Sequence, residues 1–393
     1  MKFNVKAEKN YFFSQPHQPF FILAFINAIV TMFLFMLSFK GLVYLKVSAA
    51  TFHSYSMLYL LFTPAFTAFL FTTFPKFTST PPIPKKNYIR VFALFCLGTV
   101  LFMAGSITSS LFLHIGMLTL LLGHTIILRI LYNIYKTTTI SDKHDIFWIL
   151  FAMGWGLLSH LLFVTASLFY TPLMELSIEI GIYLYLFLLT FSVAQRMVPF
   201  FSHCMHEKNI NLLKTVFALL TVRLFLETIY TGSAFVVDLA LAYIIGKEIL
   251  SWKLPFPNPN PLLWILHLSL YWIPIAFIFG AMSNLTVLIS NKSFLFLDTH
   301  VLMLGFVFTI LIGFGTRVTI GHSGNLMQAG VWEKVLFNWT QVVVVMRLFV
   351  SMAAAFGWDF MILFDISATV WMIMFILWGI RFFPLLINGK KLN

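Results

Sequence analysis

Apolar residues in this chain come in runs of about 20, the length of one bilayer-crossing helix, and the runs recur from residue 20 almost to the end. The pattern predicts twelve helices. They fall near 20–39, 52–74, 89–108, 110–133, 146–169, 173–195, 212–231, 233–251, 261–290, 297–316, 335–357 and 359–386. The connections are mostly short, and none is long enough for a soluble domain. The first run, Phe20 to Phe39, is too long for a signal-peptide core and leads into SFKGLVYLK rather than a small-residue cleavage site, so it is expected to stay as a helix.

Composition agrees with a lipid solvent. Of 393 residues 60% are hydrophobic and 10% charged, with mean hydropathy +0.93; a soluble domain carries about 25% charged residues. The fold class is therefore all-α, a polytopic membrane protein forming a single transmembrane domain. The formal net charge of +12 is explained by topology. On one face of the predicted bundle the connecting segments hold 20 of the 25 basic residues, whereas Lys40, Lys46 and Lys292 are the three on the other. That bias places both termini in the cytoplasm and removes the need for a nucleic-acid partner. Cys96 and Cys204 lie in different environments and make no disulfide framework. Helices two, six and ten exit at FTTFPKFTS, FSVAQRMVPFF and FGTRVTIGHSG. Their basic residues Lys76, Arg196 and Arg317 stand 120 and 121 positions apart. The spacing suggests three four-helix units, 1–140, 141–255 and 256–393.

Candidate chemistry lies in the histidines at membrane depth, where polar side chains are costly and face a bundle interior, a cavity or a bound group. His53 and His300 begin helices two and ten on the outer side. His114 sits about 6 Å and His160 roughly 9 Å from the outer ends of helices four and five, while His124 and His267 lie roughly 9 Å from the inner side. Each alone reads as an interhelical hydrogen-bonder before a ligand. As a layer, His53, His114, His160 and His300 suit a redox cofactor, since imidazole binds haem iron and copper; helices two and ten would then face each other across it. His300 and His322 stand 22 positions apart, roughly 33 Å along a helix, and cannot share one metal. The stretch 298–325 that carries both also holds Asp298, Gly315, Arg317, Gly321 and Gly324.

Weaker constellations accompany these. His203, Cys204, Met205 and His206 form a soft-ligand cluster in an inner loop. Arg223 and Glu227, four apart on helix seven, are expected to neutralise each other. Arg347 has Asp365, Glu227 or a cofactor propionate as candidate partners. HLSLY at 267–271 matches a short His-x-x-x-Tyr pattern. No P-loop, GxSxG or HExxH occurs, so nothing points to nucleotide-driven transport or hydrolysis.

PFFILA at 19–24, FHSYSMLYLL at 52–61 with its FTTFPKFT exit, QRMVPFF at 195–201, WILHLSLYWIPIAF at 264–277 and HVLMLGFVFTILIGFGTRVTIGHSG at 300–324 occur in order over nearly the whole chain. Through them the chain resembles the NnrS family, haem- and copper-containing inner-membrane proteins of the bacterial response to nitric oxide. The resemblance implies a b-type haem, ligated by His53 and His300, in a multi-pass protein of the bacterial cytoplasmic membrane, with nitric oxide or a related small molecule as ligand. Other cofactor-pocket candidates are Tyr55, His114, His160, His267 and His322. The family's His-x-His-Glu-Met reads His53, Ser54, Tyr55, Ser56, Met57 here, which weakens the expectation of copper. Twelve helices with cytoplasmic termini are similar in architecture to the catalytic subunit of haem-copper oxidases and nitric oxide reductases. That family also needs histidines on helices six and seven; neither helix has one, which argues against its reaction. Two other readings stand: a cofactor-free transporter or channel handling a small anion at Arg196, Arg317 and His322, with Pro274 kinking helix nine beside His267, or a partner subunit of a membrane redox complex.

Overall fold

A backbone in hydrocarbon must satisfy its own amide groups, and a helix does so within one segment. In the computed structural model, which describes residues 11–204 and 207–389, every described regular element is helical. After a short turn at Tyr11–Phe13 come α1 (His17–Phe39), α2 (Ala49–Phe77), α3 (Lys85–Thr108), α4 (Ser110–Thr137), α5 (His144–Leu168) and α6 (Leu173–Phe201). The second half gives α7 (Leu212–Ile229), α8 (Phe235–Ser251), α9 (Pro261–Ser290), α10 (Leu297–His322), α11 (Val331–Ala355) and α12 (Met361–Asn388). Local signals set several ends. Ser48 accepts the Thr51 amide before α2, and Asn260 accepts the Leu262 amide before α9, whose first residue is Pro261.

Ten of these helices are long and apolar enough to cross a membrane, so the chain is a multi-pass membrane protein in contact with lipid. The other two, α7 and α8, are 18 and 17 residues long and carry Lys214, Arg223, Glu227, Asp238, Lys247 and Glu248. They are consecutive, so the number of crossings stays even with or without them, and the charge bias still puts both ends of the chain on one side.

The helices α2, α6 and α10 share a feature that no periodicity announced. Each passes from α into π geometry and back, over Ser56–Phe62, Ile180–Phe187 and Val301–Phe308. A π turn widens the helix, shifts its hydrogen bonds to i→i+5 and is frequent at functional positions. Side chains take up carbonyls that the change of register disturbs. Thr63 Oγ1 donates to the Leu58 carbonyl and Thr309 Oγ1 to the Leu304 carbonyl, each five residues back; Asn27 on α1 donates to the Leu60 carbonyl at 2.9 Å. These three are also the most enclosed helices. Of their apolar stretches 94%, 83% and 83% is buried, against 39–50% in the other seven. The exits at Lys76, Arg196 and Arg317 belong to the same three helices.

Contacts divide the chain into two compact units. The first comprises residues 1–141, 314–327 and 375–393, the second 142–313 and 328–374. In the first, α3 and α4 meet through glycines. A Cβ on Gly116 would lie 2.4 Å from the Phe102 amide nitrogen, and one on Gly105 would lie 2.0 Å from that of Leu113. Close backbone approach of this kind is how membrane helices gain dispersion contact without a hydrophobic driving force. Elsewhere in this unit Trp378 is buried edge-on to Phe25 at 4.5 Å and donates its indole N–H to Thr316 Oγ1 at 3.1 Å. In the second unit Gly156 lies against the Tyr185 ring and Gly305 against Trp272; a Cβ on either would come within 2.6 Å.

Gly116→Val should therefore destabilise the protein by about 1–3 kcal/mol through overpacking against backbone. Gly154→Ala, where an added Cβ meets nothing within 4 Å, should be neutral or gain up to about 1 kcal/mol of helix propensity. Unfolding in detergent, followed by circular dichroism, separates the two.

Candidate functional site

The start of α10 is unusual in its backbone. Leu295 and Phe296 both have positive φ, 48° and 56°, a left-handed conformation that costs roughly 1–2 kcal/mol per non-glycine residue. Side chains from α11 hold it there. Arg347 Nη2 donates to the Leu295 carbonyl at 2.9 Å, Ser351 Oγ donates to the same carbonyl at 3.3 Å, and Arg347 Nη1 donates to Ser351. Arg347 thus meets neither Glu227 nor Asp365, two of its candidate partners.

One turn into α10, His300 Nδ1 lies 2.8 Å from the Phe296 carbonyl and 3.1 Å from Arg347 Nη2. A single nitrogen cannot serve both. If Nδ1 is protonated it donates to Phe296, and Nε2 carries the lone pair that a metal needs. If Nδ1 accepts from Arg347, Nε2 is protonated and cannot ligate. The carbonyl bond is the shorter and favours the metal-competent tautomer.

In the first unit His53 is half-buried and stacks on Phe35 of α1, with ring centroids 4.3 Å apart and planes at 25°. Tyr55 turns elsewhere. It is buried against Phe102 of α3, centroids 4.6 Å apart, and its hydroxyl donates to the Met117 carbonyl of α4 at 3.4 Å. Two positions on a helix differ by roughly 200°, so His53 and Tyr55 do not converge on one ion.

The remaining candidates separate by environment. His267 is fully buried with both ring nitrogens engaged, Nε2 at 2.7 Å from Ser202 Oγ and Nδ1 at 3.1 Å from the Pro255 carbonyl, which ties α9 to the residues that follow α6 and α8. His160 is buried in the second unit and His114 half-buried in the first. Arg196 is committed to Asp145 at 2.9 Å, and Lys208 reaches the same carboxylate at 2.7 Å. In the adjoining loop the Asp142 carboxyl is held below its usual range, first by the His144 amide and then, against some burial, by Lys208. His203 and Cys204 lie at the end of α6, while Met205 and His206 fall outside the described residues. His322 meets Lys76 and His17, and Arg317 is half-buried on the same helix. Among the described residues no group of three or more His, Cys, Asp or Glu side chains forms a metal cage.

A charge cluster in the second unit escaped the helical pairing rule. Arg223 turns away from Glu227, which instead accepts the Gly232 and Ala234 amides in the turn before α8. Its guanidinium is buried among three carboxylates: Asp238 at 2.8 Å, Asp298 at 3.0 Å and Glu179 at 3.1 Å. It lies 4.0 Å above the Tyr183 ring, whose hydroxyl donates to Asp298 at 3.1 Å. Asn284 of α9 donates to Asp238 at 2.8 Å. Gly280 admits the group, because a Cβ there would stand 3.1 Å from an Asp238 carboxylate oxygen. Only the sequence-local pair was visible beforehand; the long arginine reaches across helices instead.

A family model described as NnrS protein matches residues 11–390. The chain belongs to the NnrS family. At family level that makes it a membrane protein of the nitric oxide response type. No curated protein matches it. Three of the five motifs behind the resemblance occupy the enclosed helices: FHSYSMLYLL enters the π segment of α2, QRMVPFF ends α6, and 300–324 runs through the π segment of α10; PFFILA and WILHLSLYWIPIAF lie in α1 and α9.

Removing Arg223 would leave buried carboxylates without their cation. Arg223→Met should cost about 3–5 kcal/mol of unfolding free energy. A double-mutant cycle should give about 1 kcal/mol or more of coupling between Arg223→Met and Asp238→Asn, and near zero with Glu227→Gln. Coupling to Glu227 of equal size would restore the helical pair instead.

Proposed function

We propose that this NnrS-family protein resides in the bacterial inner membrane and binds a haem in the service of nitric oxide tolerance, with His300 as the residue that would hold the iron. The observation that carries the reading is the 2.8 Å contact of His300 Nδ1 with the Phe296 carbonyl, which directs the Nε2 lone pair away from its own helix. The residues present fit the group. A neutral imidazole is the commonest protein ligand of haem iron, and the Arg347 guanidinium beside it suits a propionate. When bound, haem supplies an iron that can take nitric oxide or relay electrons. The chain's part is to hold the imidazole in one tautomer, through Phe296, and to fix the entry of α10, through Arg347 and Ser351. His53 is the second candidate ligand, by its place in the helix-two motif. His53 and Tyr55 lie on different sides of α2 and supply no joint copper site.

Purified protein should show a haem band in reduced-minus-oxidised spectra with near-stoichiometric iron. His300→Ala should lose most of it, His53→Ala should lose or alter it, and His267→Ala should retain both band and iron. Unchanged spectra in His300→Ala and His53→Ala together would overturn the ligand assignment. Metal analysis of the same sample reads copper directly.

A further inference from the structure

Three helix ends in the first unit bring together groups that the haem reading does not use. α1 begins at His17, just after Pro16; α2 carries Lys76 in its last turn; α10 ends at His322. The His17 and His322 rings are 5.3 Å apart, and Lys76 Nζ lies 2.6 Å from His322 Nε2. The protons on this cluster can be placed. His322 Nδ1 is 3.0 Å from the Val318 carbonyl and donates to it, so Nε2 carries the lone pair and accepts from the lysine ammonium.

That arrangement disfavours a cation. A metal at Nε2 would have to displace Lys76 and sit beside its positive charge. Among the described residues no carboxylate pairs with Lys76, His17 or His322. The positive N-terminal end of α1, a helix of 23 residues, adds to the field at His17. A second observation is independent of charge. His17 is 2% exposed, and its Nδ1 has no hydrogen-bond partner among the described residues. A buried imidazole nitrogen left in that state is destabilising until a partner arrives. Lys76 is exposed while His17 is buried, so the cluster has an open cation and a closed floor. The basic-residue count puts these ends on the cytoplasmic side, where free phosphate and anionic headgroups are both found.

We propose that Lys76, His322 and His17 form a binding site for a phosphate-type oxyanion, presented either as free phosphate or as a lipid headgroup. The ammonium supplies charge, and a protonated His17 nitrogen supplies the buried donor. The site is independent of the haem reading and stands whether or not iron is bound.

The full-length protein in detergent is titrated calorimetrically with inorganic phosphate at constant ionic strength. It is also examined by native mass spectrometry after exchange into phosphatidylglycerol or phosphatidylcholine. Wild type is expected to bind one of the two phosphate sources, and Lys76→Gln and His17→Phe to bind it about tenfold more weakly, the loss of one charge-assisted hydrogen bond. Lys76→Arg keeps the charge and should retain most of the binding, which separates a lost ligand contact from a lost fold. Phosphate binding that falls in the variants assigns the free ion; phosphatidylglycerol retention that falls in them assigns the headgroup. Equal behaviour of wild type, Lys76→Gln and His17→Phe towards both probes overturns the site.

Discussion

A single guanidinium buried among three carboxylates is the interaction on which the second unit depends. Arg223 on α7 joins Asp238 on α8, Glu179 on α6 and Asp298 on α10, and Asp238 extends the set to Asn284 on α9. Charges at this depth are tolerated only in company, because the desolvation of any one of them exceeds what a distant partner returns. That accounts for the two helices that fail as independent spans. α7 and α8 are short and charged by the standards of the other ten, and two of the residues that lower their hydropathy, Arg223 and Asp238, dock them onto α6, α9 and α10. The cluster also reaches the start of α10, since Asp298, two residues before His300, accepts from both Arg223 and Tyr183.

The fold was legible because its signal is long. A run of twenty apolar residues has few alternatives to a helix, and all twelve expected helices are present. Their ends were less visible. The tenth was expected to stop at 316, yet α10 continues to His322, because Arg317 and Thr319 read as an exit although their backbone bonds stay helical. The π segments had no signature at all. Apolar periodicity reports which faces are buried, whereas a change to i→i+5 bonding shows only in the threonines and the asparagine that catch the displaced carbonyls.

Side-chain partners were legible only where they are local. The four-residue rule paired Arg223 with Glu227, but an arginine side chain spans the gap between helices, and the backbone amides of a tight turn compete for the glutamate. His267 carried a short His-x-x-x-Tyr spacing to Tyr271 and is engaged at both ring nitrogens, by Ser202 and the Pro255 carbonyl. His17 was passed over because it precedes the first apolar run, which begins at Phe20. Its burial comes from packing against the end of α10, more than 300 positions later, which no window along the sequence contains.

The two contacts of His300 Nδ1 have a consequence for the chain around it. The Phe296 carbonyl and Arg347 compete for that nitrogen, and a ligand on Nε2 decides the contest, because a coordinated Nε2 requires the proton on Nδ1 and hence the bond to Phe296. Arg347 then loses the imidazole as an acceptor but keeps the Leu295 carbonyl and Ser351. One N–H of the guanidinium would thereby be left without the imidazole as its acceptor. Under the proposed ligation, the proton on His300 Nδ1 would link the imidazole to the hydrogen bonding of Arg347 on α11, beside the left-handed entry at Leu295 and Phe296.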